Sequence, residues 1–269
     1  MASARVRLAP FGDRILFFNT VGSSNDAALS VADDPAAEGT IVLANAQTAG
    51  RGRRGREWFS PAGSGLYVSV VLRVPRGADE SGPRTALLTL AAGVALAEAI
   101  ELLAGLRVDI KWPNDLYVKR RKLAGILAEA VGAGRWSAAD ASGPLHDGAA
   151  RVVLGYGINV SATAYPPELG ERVTSLESEL GRPIDRWAVL VETLAALARR
   201  HRDLSSGRFD AILDAWRLRA PASRGATVSW STPAGLVRGE TAGVDEQGAL
   251  LVRVGDRLER IVGGELIWE

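Results

Sequence analysis

The chain has 269 residues, 47% of them hydrophobic and 23% charged. At about 150 residues per domain it has room for roughly two domains, and this composition can bury a core and is not that of a disordered chain. Lys plus Arg is 32 and Asp plus Glu is 31, so a net charge of +1 argues against a generally basic, nucleic-acid-coating protein. The absence of cysteine removes disulfides, thiol nucleophiles, Cys-ligated zinc and iron–sulfur clusters, and with only His146 and His201 a multi-His metal site is excluded too.

In chain order, residues 14–21 predict a strand, and Gly22, Ser23, Ser24 and Asn25 offer N-caps for a short helix over 26–32. Residues 40–44 predict a short apolar strand. The stretch 46–64 keeps no apolar period; it carries Arg51, Arg53, Arg54 and Arg56 on a glycine-rich backbone and predicts a long functional loop. Residues 66–72 alternate as a strand. Residues 84–103 are long and apolar but carry Glu98 and Glu101 with helical periodicity, which predicts a buried core helix and no membrane span. Residues 108–112 predict a strand stopped by Pro113. Strands are predicted over 116–119 and 123–131, joined by a basic turn at Arg120–Arg121. An exposed loop follows over 132–150, then a strand over 152–160, then helices over 184–202 and 208–218. From residue 226 onward, four or five short strands in about 45 residues predict a small appended β-barrel. The expected domains are 1–221 and 222–269. No signal peptide pattern opens the chain, and the expected address is the cytoplasm.

Three patterns carry chemistry. The segment Gly50-Arg51-Gly52-Arg53-Arg54-Gly55 matches G-x-G-x-x-G in letters, but a strand follows it where a dinucleotide fingerprint needs a helix. What remains is a set of guanidinium forks, suited to phosphate or carboxylate oxygens, on a backbone able to approach a ligand closely; a solvated basic loop is the plainer alternative. The second pattern is Lys111-Trp112-Pro113-Asn114-Asp115 followed by Arg121-Lys122-Leu123-Ala124-Gly125. It holds two of the chain's only three lysines, and Asp115 and Lys122 can face each other across a hairpin. A surface salt bridge would do the same, for about 1 kcal/mol or less. The third is Gly155-Tyr156-Gly157-Ile158-Asn159, where glycine inside a strand marks either a bulge or close approach by a ligand or another backbone.

Taken in order, GRGRRGREWFSPAGSGLYVS (50–69), KWPNDL (111–116), KLAGILAE (122–129) and GYGINV (155–160), with Gly22-Ser23-Ser24-Asn25, closely resemble the biotin–protein ligase family from about residue 15 to the C-terminus. The resemblance implies an α+β fold: a mixed β-sheet flanked by helices, of the class II synthetase-like kind, with a C-terminal SH3-like β-barrel. It implies biotin and ATP as substrates with Mg²⁺, formation of biotinyl-5′-AMP, and transfer to a lysine of a biotin carboxyl carrier protein. On this chain, Ser23, Ser24 and Asn25 would cap the biotin ring end. Gln47 and the loop Gly50, Arg51, Gly52 and Arg53 would hold biotin and phosphate. Lys122 would contact the biotin carboxylate and then the acyl-phosphate oxygen, with Asp115 beside the reacting centre and Lys111 in the catalytic set. Gly125, Gly155 and Gly157 would line the biotin pocket. Arg54, Trp58, Asn114 and Asn159 would join Arg51, Arg53 and Lys122 around the adenylate, and Asp115 is the candidate metal ligand. Ser24 stands where the family commonly has Thr, which keeps the hydroxyl.

The bare chemistry agrees with this. A carboxylate is already ionised at neutral pH, so adenylation needs two anions brought together and charge neutralised, which arginines, a lysine and a metal can supply without His or Cys. A lipoate–protein ligase-like enzyme is the nearest alternative. A nucleic-acid-binding module, which would want net positive charge and aromatic platforms, is disfavoured by the balanced charge and 6% aromatic content. The expected protein is a ligase with no DNA-binding role and no membrane partner, a monomer or homodimer.

Overall fold

The computed structural model describes residues 7–75, 84–131, 149–233 and 235–269. A seven-stranded mixed sheet forms its centre. The strands are β1 (Ile15–Phe18), β2 (Ile41–Ala44), β3 (Gly65–Pro75), β4 (Asp109–Lys111), β5 (Asp115–Val118), β6 (Arg121–Ala130) and β7 (Ala149–Asn159). Their order is β1-β2-β3-β7-β6-β5-β4, with β1 parallel to β2 and every other neighbour antiparallel.

Side chains alternate across a strand, and β3 shows what each face is for. Leu66, Val68, Val70, Leu72 and Val74 enter the main core, packed with helices α2 (Thr85–Ala104), α4 (Arg186–Ser205) and α5 (Phe209–Arg217). Val71 looks the other way, into a small cluster with Ala28 and Ala32 beside helix α1 (Ser24–Val31). Helix α2 is the predicted core helix. It is long and apolar enough to cross a membrane, but two thirds of its apolar window is buried inside the protein. Its two carboxylates sit at the rim, Glu98 paired with Arg200 and Glu101 with Arg219. His201 lies buried in α4 against Arg73 O at 2.8 Å, which gives it a structural post.

A second, antiparallel sheet follows: β8 (Arg224–Thr232), β9 (Gly235–Val244), β10 (Leu250–Val254), β11 (Arg257–Ile261) and β12 (Ile267–Trp268), ordered β11-β10-β9-β8-β12. It is consistent with the expected SH3-like unit. Val228, Val244, Leu250 and Val252 join the main core, and the indole N–H of Trp112 donates to Gly248 O at 3.0 Å.

Several boundaries differ from the sequence reading. The first strand ends at Phe18, and Val21 makes only an isolated bridge to Gln47. Helix α1 begins two residues early, at Ser24. The turn between β5 and β6 is Lys119–Arg120, not Arg120–Arg121: both residues have positive φ, 49° and 71°, the two-residue pattern that matches strand twist. The β7 strand starts at Ala149, so the expected loop 132–150 loses its last two residues to the sheet, and the rest lies outside the described residues. Strand β12 had no signal in the sequence.

Candidate active site

The face of the sheet turned toward α1 carries the site, and register explains why. Ser69 of β3 stands opposite Gly155 of β7, and Tyr67 opposite Gly157. On the other side of β7, Gly157 pairs with Gly125 of β6, and Gly155 with Leu127. Three glycines on one face of two paired strands leave a trench. It opens into a cavity of about 540 Å³, inside the usual range for small-ligand sites.

At one end the trench is closed by the start of α1. Ser24 and Asn25 are buried. The first N–H groups of a helix lack partners within it, and Gln47 Oε1 takes one of them, Ser24 N–H, at 2.7 Å. The Ser69 hydroxyl lies 2.8 Å from the Ser24 hydroxyl and donates to Asn25 Oδ1 at 2.5 Å. Asn25 Nδ2 donates to Glu129 Oε2 at 2.7 Å. This explains Gly155: an added Cβ would lie 2.0 Å from Asn25 Oδ1. Ser23 caps α1 with no side-chain hydrogen bond and faces the cavity.

The other end is cationic. Lys122 Nζ lies 2.7 Å from Asp115 Oδ1. Lys111 completes the group, with its ammonium over the rings of Tyr117 and Trp268 at 5.2 and 5.3 Å. Arg53 Nη1 donates to Asn114 Oδ1 at 3.3 Å, and Asn114 Nδ2 donates to Ile126 O at 2.8 Å, which ties the arginine loop to the hairpin. Burial lowers the pKa of both Arg53 and Lys111. Asp115 opposes the shift in each, while Arg54 adds to it at Arg53 and Lys122 and Arg120 add to it at Lys111. Burial and the neighbouring Asp115 push Tyr117 up to about 12, so it stays a neutral phenol.

Between the two ends stands Trp58. Its indole occupies the space a side chain at Gly157 would need, 2.4 Å from an added Cβ, and its N–H is buried without a partner. Its ring lies 5.4 Å from Lys122 Nζ.

Residues 20–139 match the family model described as Biotin/lipoate A/B protein ligase family. The chain is 33% identical over 257 residues to the bifunctional ligase/repressor BirA of Bacillus subtilis, covering 95% of this chain and 74% of that protein. It is 37% identical to the biotin–[acetyl-CoA-carboxylase] ligase of Paracoccus denitrificans, over 86% of this chain and 90% of that one. The solved biotin protein ligase of Aquifex aeolicus in complex with biotin and ATP superposes with a TM-score of 0.75 at 26% identity, covering 96% of this chain and 99% of that one. The chain belongs to the biotin–protein ligase family.

Within this ligase, all but one of the residues singled out from the sequence border the cavity. Gly50 is the exception. It is buried where the loop folds on itself, and an added Cβ would lie 2.3 Å from Trp58 O. Gly52 borders the cavity and closes the loop's own turn through its N–H to Arg56 O, at 2.7 Å. Arg54 turns the chain with a φ of 59°. Asn159 spends its amide N–H on Thr174 O at 3.0 Å. Arg51 pairs with Asp26 at 2.9 Å and Glu129 at 2.6 Å, reaching the ring end.

Sequence reasoning missed Ser69, Glu129, Tyr117 and the C-terminal pair Glu265 and Trp268. Glu265 binds Arg56, so the second sheet reaches the arginine loop. Register alone could have found Ser69 and Glu129. As a resident metal ligand Asp115 fits poorly: Lys122 already holds its carboxylate, and Lys111 and Arg53 are close enough to feel its charge. Among the described residues no group of three or more His, Asp or Glu could hold a metal.

Proposed function

We propose that this ligase activates biotin with ATP and passes the biotinyl group to a lysine of a biotin carboxyl carrier protein. The observation that carries this is one cavity with two unlike ends: neutral hydrogen-bonding groups at Ser24 and Asn25, and Lys122, Lys111 and Arg53 gathered around one carboxylate. A ureido ring, an apolar tail and a carboxylate fit that sequence of surfaces. In the first step a biotin carboxylate oxygen attacks the α-phosphorus, the bond to pyrophosphate breaks, and Lys122 and Arg53 offset the charge that builds on the phosphate. Mg²⁺ enters with the nucleotide, as part of the substrate. In the second step the acceptor amine attacks the acyl carbon, AMP leaves, and Asp115 takes the amine proton. The solved relatives named for complexes with biotin and ATP, or with biotinyl-5-AMP, support this reading.

The test is to incubate the protein with ATP, Mg²⁺ and either biotin or lipoate and to weigh the bound acyl-adenylate. Biotinyl-5′-AMP is expected; lipoyl-AMP alone, or no adenylate, would overturn the assignment. Asp115→Ala should slow acyl transfer more than it weakens biotin binding, and transfer at the wild-type rate would remove the proton role. That this ligase does not bind DNA is part of the same proposal; a gel-shift titration checks it, and a specific shifted complex would overturn it.

A further inference from the structure

Lys122 is held by its backbone from outside the central sheet. Its N–H donates to Arg172 O at 2.9 Å and its carbonyl accepts Thr174 N–H at 2.8 Å, a lone bridge to the segment around Val173. That segment leads into a short helix, α3 (Leu176–Leu180), capped by Ser175. Glu179, on α3, returns to the same place. Its side chain is 1% exposed, its Oε1 accepts from Thr174 Oγ1 at 2.7 Å and from Arg121 Nη2 at 2.5 Å, and its Oε2 lies 3.2 Å from Lys119 Nζ. One buried carboxylate thus grips three points: the residue that opens the β5–β6 turn, the residue that follows it, and the segment bridged to Lys122.

The grip has something to hold. Lys119 and Arg120 both sit in the left-handed region, with φ of 49° and 71°. Neither is glycine, and such positions persist only where the surroundings over-determine them. The lysine whose ammonium must meet a carboxylate and a phosphate starts two residues after that turn. Burial alone would raise the pKa of Glu179, but the hydrogen bonds of Thr174 and Lys119 and the charges of Arg121 and Lys119 bring it below the ordinary value. The group is therefore a carboxylate at neutral pH.

We propose that Glu179 is a positioning residue for Lys122: by clamping Lys119, Arg121 and Thr174 it fixes the point where β6 begins and so where the Lys122 ammonium stands beside Asp115. The inference rests on the role given to Lys122 above. A displacement of about 1 Å at a reacting group can cost up to a hundredfold in rate, and no contact between Glu179 and substrate is needed.

The chain's three lysines make the test direct. In protein labelled with ¹³C-lysine, the three ε-carbon resonances are assigned by single Lys→Arg variants. Glu179→Gln keeps the side chain's length and removes its charge. It should move or broaden the Lys122 resonance, leave that of Lys111 in place, and slow single-turnover formation of the acyl-adenylate about tenfold or more. Thr174→Val, which removes one donor and keeps the volume, should do the same to a smaller degree, and serves if Glu179→Gln does not fold. A lower melting temperature with an unmoved Lys122 resonance and a wild-type rate in both variants would reduce Glu179 to a fold contact and overturn the proposal. Lys122→Ala separates the two failures. If it forms adenylate at the wild-type rate, the role of Lys122 is wrong; if it is slow while Glu179→Gln and Thr174→Val are not, only the positioning claim falls.

Discussion

The two ends of the cavity are built on opposite plans. At the ring end the groups come from a helix start, from paired strands and from Gln47 of the loop, and they spend their polar atoms on one another: Gln47 on Ser24, Ser69 on Ser24 and Asn25, Asn25 on Glu129. At the other end they are long, come from a loop and two hairpin turns, and are left incompletely satisfied. The Trp58 indole N–H is buried without a hydrogen bond, and burial lowers the pKa of Lys111 and Arg53. Buried polar groups are normally paired, so such loose ends need a reason. Here the reason is a ligand that brings its own charge. The first end selects by fixed shape; the second stores positive charge that anions complete.

If that division is right, variants at the two ends should fail differently. The largest loss is expected from Lys122→Ala. Removing one preorganised group aimed at developing charge costs about 10²–10³ in rate, so adenylate formation should fall by that factor in a single-turnover assay, while binding of biotinol, which keeps the ring and carries an alcohol in place of the carboxylate, changes little. An equal loss in both would mean that the ends are not separate. Arg53→Ala comes next. It removes a charged donor worth about 1.5–3 kcal/mol, so the preformed adenylate should leave about ten to a hundred times faster in a chase experiment. An unchanged off-rate would take the arginine loop out of the site.

At the ring end, Ser69→Ala sharpens the contrast. Ser69 is fully buried, and its loss leaves Asn25 Oδ1 without its donor. The cost is about 1–2 kcal/mol, seen as a five- to thirtyfold weaker biotin affinity by calorimetry with ATP affinity unchanged. Weaker ATP binding of the same size would show that the network serves the whole cavity.

The division also explains what could be read from the chain. The cationic end is written in conspicuous residues: arginines spaced by glycine, the segment around Lys111 and Asp115, and Lys122. The ring end is written in register. Ser69 and Glu129 are ordinary letters in alternating strands, and only the pairing of β3, β7 and β6 puts them beside Asn25. The glycines at 155 and 157 were visible, but what fills the space above them, the Asn25 amide and the Trp58 indole, was not. Gly50 stands apart because the same need for close approach arises between two parts of one loop. The turn at Lys119–Arg120 slipped by one because Lys-Arg-Arg-Lys is nearly symmetric in chemistry, so hydropathy sets no register there. Glu265 and Trp268 come from the far end of the chain, beyond the reach of any local pattern.

The smallest effect tests the stored charge itself. Burial, with repulsion from Lys122 and Arg120, lowers the pKa of Lys111 from its ordinary 10.5, and Asp115 only partly offsets this. The charged form is therefore lost at a lower pH than for a free lysine. ATP affinity of the free enzyme should decline as pH rises through that value, below 10.5. Tyr117, held near 12, stays neutral over the range and adds nothing to the decline. Arginine keeps its charge at every accessible pH, so in Lys111→Arg the affinity curve should be flat over the same window, at the expense of a few-fold weaker binding at pH 7.5 from the poorer fit of a planar fork between Tyr117 and Trp268. Fluorescence titration of ATP in unit steps from pH 7.5 to 10.5 with both proteins decides it. A decline of the same slope in Lys111→Arg would place the titrating group elsewhere and show that this lysine does not hold the charge the nucleotide meets.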